Sequence, residues 1–179
     1  MKKKGFGIVI LIFIGLIVFV SLSKKEETLL SKGDPVPAFK LTQQDSLEFD
    51  LTTVLGKKNI VLFFYPMDNT PGCTKEACKF RDDYEEFIDL DALVIGISAD
   101  SPASHTEFAK KNNLPFTLLS DEDDAVRSLF GARGNFMGLI PGRVTFIIDK
   151  QGIIQHVFNS MSKAEQHVEE AKMVLHNLN

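Results

Sequence analysis

The pattern of apolar and polar positions along the 179-residue chain changes abruptly at residue 23. After a start of Met1 and three lysines, residues 5–23 (GFGIVILIFIGLIVFVSLS) carry no charge. As a helix that run would span about 28 Å, close to the ~30 Å hydrocarbon thickness of a bilayer. Residues 24–33 (KKEETLLSKG) read as a polar linker, and from Asp34 onward strand-like runs alternate with helical patterns. AFKLT and LEFDL are short alternating segments, whereas NIVLFFYP is a continuous apolar run, the mark of a strand buried on both faces. A helical stretch follows from about Pro71 to Asp89, with Phe80, Tyr84, Phe87 and Ile88 spaced for one apolar face. ALVIGISAD is a second buried strand; Ser101 and Pro102 then open a helix to about Asn112. PFTLLSD gives a third strand, and DDAVRSLFG a short helix closed by Gly131. RVTFIID and IIQHVF, joined by KQG, make a hairpin, and Ser162-Lys-Ala-Glu165 is a capping box for the last helix.

Strands separated by helices, with one late hairpin, imply an α/β fold: a three-layer sandwich with a mixed central sheet. Active residues in such folds gather at the carboxyl ends of strands, which is where DNTPGC follows NIVLFFYP. Residues 34–179 are long enough for one domain and too short to expect two.

Charge refines this picture at two points. Beyond residue 23 the chain has 17 basic and 24 acidic side chains, without a basic stripe, so nucleic acid is not an expected partner. Lys2, Lys3 and Lys4 precede the apolar run, whereas KKEE after it is neutral. The run reads first as a membrane anchor through residues 5–23, then as a cleaved secretory signal, and least as a core helix. In either of the first two cases the positive-inside rule places the domain on the extracytoplasmic side, periplasmic or extracellular.

The candidate chemistry lies in the only two cysteines, Cys73 and Cys78. Thr70 can cap the helix and Pro71 suits its first position, so Cys73 falls in the first turn. There unpaired N–H groups and the positive dipole end favour a thiolate, the reactive form. Arg143, at the start of RVTFIID, is the candidate cation beside it. Cys78 lies five positions on; in an intact helix the two Cα atoms would be about 8.6 Å apart, beyond the ~7 Å reach of a disulfide. They would meet only if the first turns unwind after Cys73 is oxidised to a sulfenic acid. A static disulfide fits a helix badly, and unrelated buried thiols remain an alternative. The spacing matches no usual zinc pattern, and no metal or cofactor is expected. His105, His156, His167 and His176 are scattered and read as surface residues, and SDEDD (120–124) as a solvated helix start.

YPMDNTPGCTKEAC resembles the active-site stretch of peroxiredoxins of the Q type, the bacterioferritin comigratory proteins. Pro66, Thr70 and Cys73 meet the family's P-x-x-x-T-x-x-C pattern. The similarity continues through VIGISADSPASHTEFAKKNNLPFTLLSDED to PGRVTFIIDKQG, nearly all of residues 34–160. The resemblance implies a thioredoxin-like fold and a thiol peroxidase acting on hydrogen peroxide or alkyl hydroperoxides. Cys73 would be the peroxidatic nucleophile and Cys78 the resolving cysteine of an intramolecular disulfide, reduced by a thioredoxin-like protein. Thr70 would orient the peroxide, Pro66 would shield the site from water, Arg143 would hold the thiolate, and the N–H groups of Gly72 and Cys73 would complete the cradle. Glu76 would support the arginine. A resolving sulfur on the same helix removes any need for a second subunit, so a monomer is expected. The alternatives from other classes are a membrane-tethered redox sensor and a copper carrier or assembly factor on the same fold.

Overall fold

Why the cysteine helix sits where it does follows from one strand. The computed structural model describes residues 28–134 and 141–178, so the anchor expected at residues 5–23 lies outside the described residues. Strand β3 (Asn59–Phe64) is buried at every position, as its unbroken apolar run dictates. Its side chains alternate between two cores: Val61 and Phe63 face one, Ile60, Leu62 and Phe64 the other. The remaining strands are β1 (Lys40–Gln43), β2 (Glu48–Asp50), β4 (Ala92–Ser98), β5 (Thr117–Ser120), β6 (Val144–Ile148) and β7 (Ile154–Asn159). They form a seven-stranded sheet in the order β2-β1-β5-β4-β3-β6-β7. Only β3·β4 and β4·β5 pair in parallel, and β6·β7 is the expected hairpin, so the sheet is mixed.

The helices are α1 (Pro71–Asp82), α2 (Tyr84–Asp89), α3 (Pro102–Asn112), α4 (Ala125–Leu129) and α5 (Ala164–Leu178). Phe80, Phe87, Phe108, Val168, Ala171 and Leu175, from α1, α2, α3 and α5, cover one face of the sheet. Val126 of α4 and Phe130 pack on the other with Phe39 and Leu51. The architecture is the thioredoxin-like α/β sandwich, with its helices divided unevenly between the two faces. Phe80 stacks on Phe63 at 4.6 Å between ring centroids, which fixes the middle of α1 to the sheet.

Three local expectations need correction. The helical stretch 71–89 is two helices, broken at Asp83 (φ −98°, ψ 11°), and the break leaves Ile88 exposed. Asp83 is held there by Lys79 at 2.9 Å and by Lys172 of α5 at 2.6 Å, so the break is set by tertiary contact. The last helix begins at Ala164, and Glu165 pairs with Lys75 at 2.9 Å, a partner on another helix that the capping-box reading left out. His105 and His167 are fully buried, because each finds hydrogen-bond partners inside the fold.

Candidate active site

Antiparallel pairing of β3 with β6 sets Phe64 opposite Val144. The end of β3, which leads into the loop 65–70 and α1, therefore lies beside the start of β6. Arg143 is the residue just before that start, and its Nη2 donates to Cys73 Sγ at 3.3 Å. Nη1 donates to Glu76 Oε2 and Nε to the carbonyl of Met161 at 3.4 Å. Cys73 and Arg143 are buried, yet Pro71 and Gly72 immediately above are exposed, so the sulfur sits just beneath the surface. Gly72 leaves room for this approach: a Cβ there would stand 3.2 Å from Arg143 Nη2, tight enough to push the guanidinium aside by a few tenths of an ångström.

Thr70 occupies the N-cap position of α1 but makes no side-chain cap bond. Its hydroxyl donates instead to the Met67 carbonyl at 3.1 Å, which corrects the expected cap. Without that cap, the N–H groups at the mouth of α1 keep their capacity for an anion. Pro66 lies partly buried at the start of the same loop. Cys78 stands apart from the other site residues. Both cysteines are free, α1 is continuous between them, and Cys78 Sγ faces Asn112 Oδ1 of α3 at 3.8 Å. Arg81 touches Cys78 electrostatically and donates to the Asn112 carbonyl at 2.7 Å.

Sequence reasoning missed two supporting networks. Tyr65 Oη donates to Asp68 Oδ1 (2.7 Å), while His105 Nδ1 and Ser104 Oγ meet Asp68 Oδ2 at 2.9 and 2.8 Å. Burial alone would raise the Asp68 carboxyl; His105, with Tyr65 and Ser104, outweighs it and holds the carboxyl below its usual range. The Asp68 N–H also donates to Asp100 at 2.9 Å, so the loop ahead of Cys73 is tied to α3 and to the turn that follows β4. Buried Arg127 donates to the carbonyls of Tyr65 (2.8 Å) and Gly142 (2.9 Å), joining the two segments that carry Pro66 and Arg143. His105 was detectable in principle: three positions before buried Phe108, it lies on the apolar side of its helix.

Two buried groups below the sulfur have displaced titrations. Glu76 is raised to about 8 by burial, against the pull of Arg143. His167 is lowered to about 4, chiefly by burial, despite donating from Nε2 to the Ser160 carbonyl at 2.9 Å. Their effects on stability have opposite signs. The His167 contribution is present above the unfolded value of 6.5 and is lost as pH falls toward about 4. The Glu76 contribution is present below 4.5 and is lost as pH rises through about 8. Between 4.5 and 6.5 each has a slope of about 1.4 kcal/mol per pH unit, and the two cancel. Glu76→Gln should therefore lose stability relative to the parent as pH falls across that window. Denaturant unfolding at several pH values checks this, and parallel curves for the two proteins would refute it.

Set against known proteins, residues 32–157 match the AhpC/TSA family. The chain belongs to that family. Within the AhpC/TSA family its relatives are peroxiredoxins Q. The chloroplastic peroxiredoxin Q of Triticum aestivum is 48% identical over 149 residues, 83% of this chain and 68% of the relative. That of Populus jackii is 46% identical over the same length, 70% of its own chain. Among solved structures, the peroxidoxin BcpB of Mycobacterium tuberculosis superposes with a TM-score of 0.78 at 37% identity, covering 84% of this chain and 99% of that one. A cysteine-to-serine PrxQ mutant of Xylella fastidiosa gives 0.76 at 26% identity, covering 85% and 99%. This AhpC/TSA member is a thiol peroxidase of antioxidant defence. A peroxide substrate and a thioredoxin-type reductant fit the family. The placement of a membrane-anchored domain on the extracytoplasmic side is corrected: the plant relatives are chloroplastic proteins. Among the described residues no helix is long and apolar enough to cross a membrane.

Proposed function

We propose that Cys73 is the peroxidatic nucleophile and Cys78 the resolving cysteine of an intramolecular disulfide. The observation that carries this is the Arg143 Nη2 contact at 3.3 Å to a sulfur in the uncapped first turn of α1. A guanidinium and a helix mouth on one side chain stabilise the thiolate and the charge that develops as the O–O bond breaks. The thiolate attacks the terminal oxygen of hydrogen peroxide or an alkyl hydroperoxide, forming the sulfenic acid and releasing water or an alcohol once protonated. Thr70, three residues before the sulfur, orients the peroxide, and Pro66 screens the site from water. The N–H groups of Gly72 and Cys73 complete the cradle. Cys78 condenses with the sulfenic acid after the first turns of α1 open, because an intact helix holds the two sulfurs out of bonding range. A thioredoxin-like protein then reduces the disulfide. Every residue named lies on one chain, residues 34–179 form the working domain, and the catalytic unit is a monomer.

Cys78→Ser is the test. It should retain a single rapid oxidation by one equivalent of peroxide and lose thioredoxin-dependent turnover. Mass spectrometry of the peroxide-treated parent should find Cys73 and Cys78 joined. Full steady-state turnover by Cys78→Ser would reject the pairing.

A further inference from the structure

Arg143 serves two buried acids. One arm of its guanidinium donates to Cys73 Sγ and the other to Glu76 Oε2, one turn further along the same helix. Glu76 is fully buried, and its second oxygen, Oε1, has no hydrogen-bond partner. Oε1 faces His167 Nδ1 of α5 at 3.7 Å. His167 Nε2 faces the Ser160 carbonyl at 2.9 Å and so carries the ring hydrogen, which leaves Nδ1 as a lone pair that Thr145 Oγ1 meets at 2.8 Å. That lone pair is already taken by Thr145, so a bare carboxylate oxygen at Oε1 finds no donor, and protonation removes a buried charge that the site leaves half unpaired. Arg143 beside β6 and His167 on α5 face Glu76, Cys73 shares the same guanidinium, and of the three Arg143 is the one cation. Burial keeps His167 neutral at physiological pH. Two anions sharing one guanidinium out of water is a costly arrangement, and a proton on one of them relieves it.

We propose that Glu76 is a redox-linked proton store, protonated while Cys73 is a thiolate and ionised once the sulfur is oxidised. This rests on Cys73 being the peroxidatic residue. The thiolate forms an S–O bond with the terminal peroxide oxygen, the O–O bond breaks, and the alkoxide or hydroxide leaves with the electron pair. The leaving group takes up one proton and Glu76 gives one up, so the pocket exchanges no net proton with solution, while Arg143 stays protonated throughout. The negative charge of the pocket thus passes from sulfur to carboxylate, and Arg143 keeps one counter-ion throughout. The sulfenic acid then loses water with the Cys78 thiol. The incoming dithiol reductant delivers two protons with its two electrons, one to Cys78 and one back to Glu76. Glu76 acts through Arg143 and is a positioning residue, not a nucleophile.

The test uses Cys78→Ser protein, in which oxidation stops at the sulfenic acid. One equivalent of hydrogen peroxide is added in weakly buffered, neutral indicator solution, with the thiolate followed by its ultraviolet absorbance. With Glu76 present, loss of the thiolate should take up no proton from solution. The oxidised-minus-reduced infrared spectrum should show loss of a carboxylic-acid C=O stretch. With Glu76→Gln added, one proton should be taken up per thiolate lost, and that band should be absent from the difference spectrum. The Glu76 protein alone decides, so a poorly folded Glu76→Gln variant does not weaken the result. Uptake of one proton per thiolate by the Glu76 protein, or an unchanged carboxylic-acid band, overturns the proton store and leaves the role of Cys73 standing. An unchanged thiolate absorbance overturns both.

Discussion

Replacing Cys73 with serine is expected to reduce peroxide consumption to the rate seen without protein. A serine hydroxyl at that position remains a neutral alcohol at neutral pH, so the helix mouth and Arg143 have no anion to stabilise and the O–O bond meets no competent nucleophile. The fold should survive, because oxygen is a smaller acceptor than sulfur for the same Arg143 Nη2 and the loss of contact volume is slight. Steady-state consumption of hydrogen peroxide with thioredoxin, thioredoxin reductase and NADPH is the measurement, with circular dichroism confirming the fold. Undiminished turnover by Cys73→Ser would end the proposed mechanism.

Arg143→Met should be the next most damaging change, lowering the second-order rate constant with peroxide by roughly 100- to 1,000-fold, the effect of removing one preorganised donor. Two effects combine in it: a smaller thiolate fraction, and less stabilisation of the charge leaving on the peroxide oxygen. Stability should suffer less than activity. The carboxyl left behind, Glu76, is already pushed toward its protonated form by burial, so the variant leaves a neutral acid, not an orphaned buried charge. Arg143→Lys should fall between, since a single ammonium keeps the charge but cannot fork to Cys73 and Glu76 together. Stopped-flow rates at several pH values check both variants. A rate for Arg143→Met within a factor of three of the parent would exclude the arginine from the transition state.

Much of this organisation was legible in the residues, and the exceptions share one cause. The strands and the cysteine helix were readable because their signals are local: an unbroken apolar run, a Thr-Pro helix start, a Pro-Gly break. The likeness to peroxiredoxins of the Q type was readable from the motif around Cys73 for the same reason. What stayed hidden was made by partners remote in sequence. The break at Asp83 depends on Lys172, and the burial of His105 on Asp68, 37 residues earlier. His167 was misread although it lies on the stripe of Ala164, Val168 and Ala171. A histidine on an apolar face gives no sign of whether Thr145 and Ser160 await it. Arg127 carries no local signal at all, since the carbonyls it joins belong to two separate loops.

The stack of Phe80 on Phe63 anchors α1 well beyond Cys73, while its front end lacks a cap. In the proposed cycle the disulfide form must surrender the turns between those two points, so the hydrogen bonds of that segment favour the dithiol. Helix strength over residues 73–79 thereby becomes a setting for electron affinity. Each 1.4 kcal/mol by which the ordered segment is favoured makes the bonded pair a stronger oxidant by about 30 mV. A glycine substitution at the exposed Lys75, which weakens the helix and removes its pairing with Glu165, would lower the reduction potential without touching either sulfur.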